Sequence, residues 1–142
     1  MEFISTLLFV FLTQFSVNTT DYGKLVVAID GIKEAKGEMI IAIFNNETDF
    51  LKKEYLNQSI KIDIDGNAKA VFENLPKGNY SISVIHDKNS NGKLDKNFFG
   101  IPIEGFGFSN NKMGKFGPPS FEECNIQLEG GQTEVSIKLK HI

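Results

Sequence analysis

QSIKIDIDGNAKAVFENLPKGNYSISVIH, residues 58–86, decides the fold. Ile60, Ile62 and Ile64 alternate with Lys61, Asp63 and Asp65, and beyond a proline-glycine turn Tyr80, Ile82, Val84 and His86 fall in step. A period of two sends successive side chains to opposite faces, so each run reads as a strand with one face buried and the other wet. Asp65-Gly66-Asn67 and Pro76-Lys77-Gly78-Asn79 carry the residues that tight turns require, and Gly130-Gly131 adds a third such signal further on.

The same period governs most of the chain after residue 20. KLVVAIDGI (24–32), GEMIIAIF (37–44), QSIKIDID (58–65), AKAVFENL (68–75), NYSISVIH (79–86), EECNIQLE (122–129) and QTEVSIKLK (132–140) each read as a strand. Seven short strands with tight turns and no strong amphipathic helix predict an all-β fold. The specific expectation is an antiparallel seven-stranded β-sandwich, immunoglobulin-like or prealbumin-like. NETDFLKKEYL (46–56) is the one candidate helical turn, with Thr48 as its cap and Phe50, Leu51 and Tyr55 facing inward.

With 142 residues, 41% of them hydrophobic, the chain suits one core that forms without disulfide or metal. All 15 basic residues are lysines against 18 acidic ones, and a net charge of -3 without the arginine fork argues against nucleic acid as a partner. No polybasic patch marks a membrane surface. Phe3–Val17 is an uncharged, mostly apolar run, shorter than the roughly twenty residues a membrane span needs. It matches the apolar region of a secretory signal. The expectation is a signal peptide over 1–19, a single β-sandwich domain over 20–142, export to the periplasm or outside, and no membrane span beyond the signal segment. Cys124 is the single cysteine, which excludes an intramolecular disulfide, and in step with Ile126 and Leu128 it reads as a buried thiol.

Two stretches break the rhythm of strand and turn. HDKNSNGKLD, residues 86–95, spells D-x-N-x-N-G-x-x-D from Asp87, with Asn89, Asn91 and Asp95 at positions 3, 5 and 9 and Gly92 at position 6. Oxygen-bearing side chains on alternate residues face one side of a curling backbone, and glycine permits the sharp turn. Lys93, at position 7, would offer its backbone carbonyl. Hard oxygen donors suit calcium rather than zinc or copper. Position 12 is Phe98 instead of a bidentate glutamate, and no helix precedes the loop, so the site is not an EF-hand. The competing reading is a plain Asn/Asp/Gly turn.

The second stretch, Asn97–Phe121, holds six phenylalanines and five glycines in 25 residues. So aromatic a loop either packs on itself as a cap or forms a binding surface. In the second case Glu104, Phe106 and Phe108 are the candidate ligand contacts, and Glu104 is also a candidate third carboxylate for the neighbouring loop. No nucleophile-base-orienter set and no phosphate loop is visible, because neither His86 nor His141 has a plausible partner. The function expected is a non-enzymatic module with a calcium loop, its partner an unspecified protein or small ligand. The alternative is a small-ligand carrier or hydrolase with a pocket at Gly100–Phe121.

LPKGNYSISVIHDKNSNGKLDKNFFGIPIEGFGFSNN (75–111), followed by GPPSFEE (117–123), resembles the signature of a bacterial family of exported proteins catalogued as domain of unknown function 2141. The likeness extends over about residues 23–140. It implies a signal peptide and a small β-sandwich, and it assigns no activity; the calcium reading rests on the spacing alone.

Overall fold

The computed structural model describes residues 21–142, and the expected signal peptide lies outside the described residues. Eight strands follow in order: β1 (Tyr22–Asp30), β2 (Glu38–Phe44), β3 (Leu56–Lys61), β4 (Ala68–Pro76), β5 (Gly78–Asp87), β6 (Phe106–Phe108), β7 (Ile126–Leu128) and β8 (Gly131–Lys138). The fold is all-β. One sheet has the order β4-β1-β8, and the larger one runs β3-β2-β5-β6, with β7 pairing the start of β5.

Period-two patterning does its expected work in the core. Leu25, Val27 and Ile29 of β1, Ala68, Ala70 and Phe72 of β4 and Ile137 of β8 meet Met39, Ile41 and Ile43 of β2 and Tyr80, Ile82 and Val84 of β5 in a single apolar cluster. Both sheets thus contribute their inward faces to one core. In β4 the alternation breaks where Asn74 adopts a left-handed backbone (φ 54), opposite the register shift between Gly23 and Leu25. That bulge turns Leu75 inward and leaves Asn74 exposed.

Several expectations need correction. β1 and β8 pair in parallel, from Gly23 opposite Gly131 to Asp30 opposite Lys138, so the fold is not purely antiparallel. Turn residues constrain neighbours in sequence only, and these two strands are the first and last among the described residues. The three tight turns are not hairpins within a sheet: each carries the chain from one sheet to the other, β3 to β4, β4 to β5 and β7 to β8. Turn chemistry encodes a reversal of direction, and the reversal is the same whether or not the next strand pairs with the last.

The 58–65 run ends as a strand at Lys61, because Asp63 accepts from Gly66 N–H while its own N–H donates to Asn67, closing the crossing turn early. Ile64 is consequently fully exposed instead of buried. The 122–129 run is a strand only at β7. Residues 46–55 form turns and no helix, and Leu56 already opens β3; Asn46 Oδ1, not Thr48, accepts the Asp49 N–H at 2.9 Å, and while Phe50 is buried, Leu51 and Tyr55 are exposed.

An eighth strand, β6, arises inside the phenylalanine-glycine stretch and pairs with Ser83–Ile85 of β5. It also exchanges both backbone hydrogen bonds between Phe106 and Lys140, at 3.1 and 2.7 Å, so it touches the chain leaving β8 as well. A second apolar cluster forms on the outer side of β5, where Phe44, Phe50, Phe108 and Cys124 are buried with Phe106, Met113 and Phe121 packed against them. Cys124 therefore lies in a turn of this second cluster, and burial pushes its thiol up to about 11.

Ser109 fastens that cluster. Its buried hydroxyl donates to the Cys124 carbonyl and accepts the Ile82 N–H at 2.9 Å, taking the place of the next rung after β6 ends. Asn110 donates to the carbonyls of Glu123 and Asn125, and Asn111 Oδ1 accepts the Lys138 N–H. Ser109→Ala leaves a buried donor and a buried acceptor unpaired. The expected loss is about 1–3 kcal/mol, read as a lower urea midpoint with an unchanged slope.

Candidate cation-binding loop

Alternation along β5 separates its last two side chains. His86 enters the core, where Nε2 lies 2.7 Å from the Lys36 carbonyl, an acceptor, so Nε2 carries the hydrogen. His86 Nδ1 is buried without a protein partner. Asp87 points the other way and roots the loop. Gly37, next to Lys36, presses against this junction with a left-handed backbone (φ 73); a Cβ there would lie 2.1 Å from the Asp87 carbonyl oxygen.

The Asp87 carboxylate is fully buried and accepts two backbone N–H groups from across its own loop, Asn91 at 3.1 Å and Gly92 at 2.8 Å. Gly92 has the left-handed backbone (φ 82) that position 6 was expected to need. Asn91 Oδ1 in turn accepts the Lys93 N–H at 3.1 Å, and Asn89 Oδ1 lies 3.3 Å from the Asn91 N–H. The backbone is thus curled by its own side chains.

Curling brings Asn89, Asn91 and Asp95 together. The Asn89 amide donates to Asp95 Oδ2 at 2.6 Å and the Asn91 amide to Asp95 Oδ1 at 2.8 Å. The amide of Asn91 and then that of Asn89 hold the Asp95 carboxyl below its ordinary 3.8, with the Lys93 charge adding to the effect. Asp95 is therefore an anion at any physiological pH. Half-turns of the two amides would present oxygen instead of nitrogen to the same point. Lys93 is exposed. Among the described residues no group of three or more His, Cys, Asp or Glu is placed to hold a metal, so a cation here would rest on two carboxylates with amide and carbonyl oxygens.

Glu104 reaches the loop from the second stretch, but to its backbone. One carboxylate oxygen accepts the Lys88 N–H and the other the Asp95 N–H, both at 3.0 Å, which ties the second and last residues of the loop to one buried group. Glu104 is the sole carboxylate in 97–121, and that isolation among apolar residues is the sequence signal for such a clamp. Phe106 and Phe108 lie apart from it, on β6, with edge-to-face rings 6.1 Å between centroids. They line an open groove of about 810 Å³ that Glu104 does not line. The six phenylalanines divide accordingly: Phe106, Phe108 and Phe121 pack inward, while Phe98, Phe99 and Phe116 are exposed.

One protein family, uncharacterised proteins conserved in bacteria (DUF2141), matches residues 27–136. The chain belongs to the DUF2141 family. No curated protein and no solved structure matches it significantly. The DUF2141 match takes in the whole Asp87–Asp95 loop together with Glu104, Phe106 and Phe108. Among the described residues of this DUF2141 chain, no helix is long and apolar enough to cross a membrane.

Proposed function

We propose that the chain is an exported, non-enzymatic β-sandwich module of immunoglobulin-like or prealbumin-like type, in which calcium binds Asp87, Asn89, Asn91, Asp95 and the Lys93 carbonyl. The observation that carries this reading is the convergence of the Asn89, Asn91 and Asp95 side chains over a loop curled by buried Asp87. Calcium takes six to eight oxygens in flexible geometry, and two carboxylates with amide and carbonyl oxygens form a weak site of that kind, with a dissociation constant on the order of 10⁻⁴ to 10⁻³ M. Glu104 acts as the clamp behind the ligands.

The sandwich reading is supported by the core shared between two sheets and by Tyr80, whose hydroxyl donates to the Pro76 carbonyl four residues upstream, as in the tyrosine corner of Greek-key sandwiches. Export is supported by the apolar run Phe3–Val17. The non-enzymatic reading is supported by how the reactive groups are engaged: His86 on Lys36, His141 Nε2 on the Gly31 carbonyl at 2.9 Å, and Cys124 buried as a thiol.

Thermal melting in calcium and in chelator tests the proposal. At calcium about 100 times the dissociation constant the native state gains about 2.7 kcal/mol, which for a chain of this size raises Tm by roughly 10 °C. Asp95→Ala should abolish the shift while leaving the melting point in chelator nearly unchanged, because Asp95 is only partly buried and Glu104 still holds its backbone. An equal shift in wild type and variant, or none in the wild type, overturns the calcium reading.

A further inference from the structure

The groove beside β6 adjoins the loop, from which it takes only Leu94. It is lined by Phe106 and Phe108 of β6, by Ser83–Ile85 of β5 and by parts of the 94–102 and 113–118 segments, together with Lys140 and Ile142. At about 810 Å³ it falls within the usual size of small-molecule sites. Its surroundings leave large apolar side chains in water: Ile101 and Ile142 are exposed, and Phe116 is wholly so. Such a concentration of uncovered apolar surface marks a place where something apolar docks.

Charge selects the occupant. The chain carries more acidic than basic residues, yet the groove is lined by Lys96, Lys115 and Lys140, and by no aspartate or glutamate among the described residues. These three lysines come from three separate segments, and the ion pairs among the described residues involve Lys24, Lys69 and Lys88 instead. Free ammonium groups around an apolar trough complement a molecule with one negative head and a hydrocarbon tail.

We propose that the groove binds a single-chain amphiphile with an anionic head, an unbranched acyl carboxylate, with the tail over Phe106 and Phe108 and the head among Lys96, Lys115 and Lys140. Binding of this ligand does not rest on the calcium reading, since no candidate calcium ligand lines the groove.

Equilibrium dialysis with dodecanoate, dodecanol and dodecyltrimethylammonium below their micelle concentrations, each in calcium and in chelator, tests it. Dodecanoate should bind at least ten-fold tighter than the other two. Lengthening the chain from decanoate to dodecanoate should tighten binding roughly fifteen-fold, about four-fold for each buried methylene. A triple variant, Lys96→Gln with Lys115→Gln and Lys140→Gln, changes exposed side chains only; it should lose about ten-fold for dodecanoate and nothing for dodecanol. The proposal is overturned by absence of dodecanoate binding in both calcium and chelator, by equal binding of the cationic analogue, or by capture of anionic phospholipid vesicles without binding of monomeric dodecanoate.

Discussion

Gly37→Ala should lower stability by about 3 kcal/mol or more, the largest loss expected from removing no interaction at all. Two costs add. Alanine resists the left-handed backbone that residue 37 adopts, a penalty of about 1–2 kcal/mol. Its Cβ would also fall 2.1 Å from the Asp87 carbonyl oxygen and 2.7 Å from the Lys88 Cα, both backbone atoms, so the crossing between β1 and β2 or the end of β5 must move. Urea denaturation reads the loss directly. Movement of Asp87 also reaches the loop it roots, so the calcium-dependent rise in Tm should shrink together with the stability. Unchanged stability in this variant would overturn the steric argument.

Glu104→Ala should cost at least as much, about 3 kcal/mol or more. The buried carboxylate accepts two backbone N–H groups sixteen and nine residues away, and bonds to a charged acceptor are worth about 1.5–3 kcal/mol each. Alanine leaves both donors facing a void. Glu104→Gln is the instructive partner, since its amide retains one acceptor and turns a donor toward either Lys88 N–H or Asp95 N–H. It should therefore recover about half of the loss. Hydrogen exchange locates the effect: the amides of Lys88 and Asp95 should lose protection in both variants, while core amides of β2 keep theirs until global unfolding. Calcium affinity should fall too, because the loop ends are no longer tied.

These two residues also mark the limits of what the sequence discloses. Alternation along 79–86 correctly places Tyr80, Ile82, Val84 and His86 on the core side, but the opposite face, expected to be wet, is covered by the second cluster and buries Ser81 and Ser83. The D-x-N-x-N-G-x-x-D spacing likewise foretells that Asn89, Asn91 and Asp95 converge, since the contacts are local. Gly37 and Glu104 act on the same loop from far along the chain, and no local pattern connects them to it. The parallel pairing of β1 with β8 is hidden for the same reason.

Chemistry that is identical in two structures is hidden in a different way. Asp65-Gly66-Asn67 reverses the chain whether it closes a hairpin or carries it between sheets, so the seven strands are legible while their allocation to sheets is not. Phenylalanine composition sets 97–121 apart from the strand runs, yet the division between packed Phe106, Phe108 and Phe121 and exposed Phe98, Phe99 and Phe116 follows from β6. That strand is only three residues long and carries no alternation to read.

The parallel β1–β8 pair joins the two strands furthest apart along the described residues. β1 can find β4 early in folding, but its other edge stays open until residues 131–138 arrive. Such long-range closure slows folding and keeps an adhesive edge uncovered meanwhile. A chain stopped before Gly131 would be left with that edge permanently, and self-association of such fragments is the natural outcome.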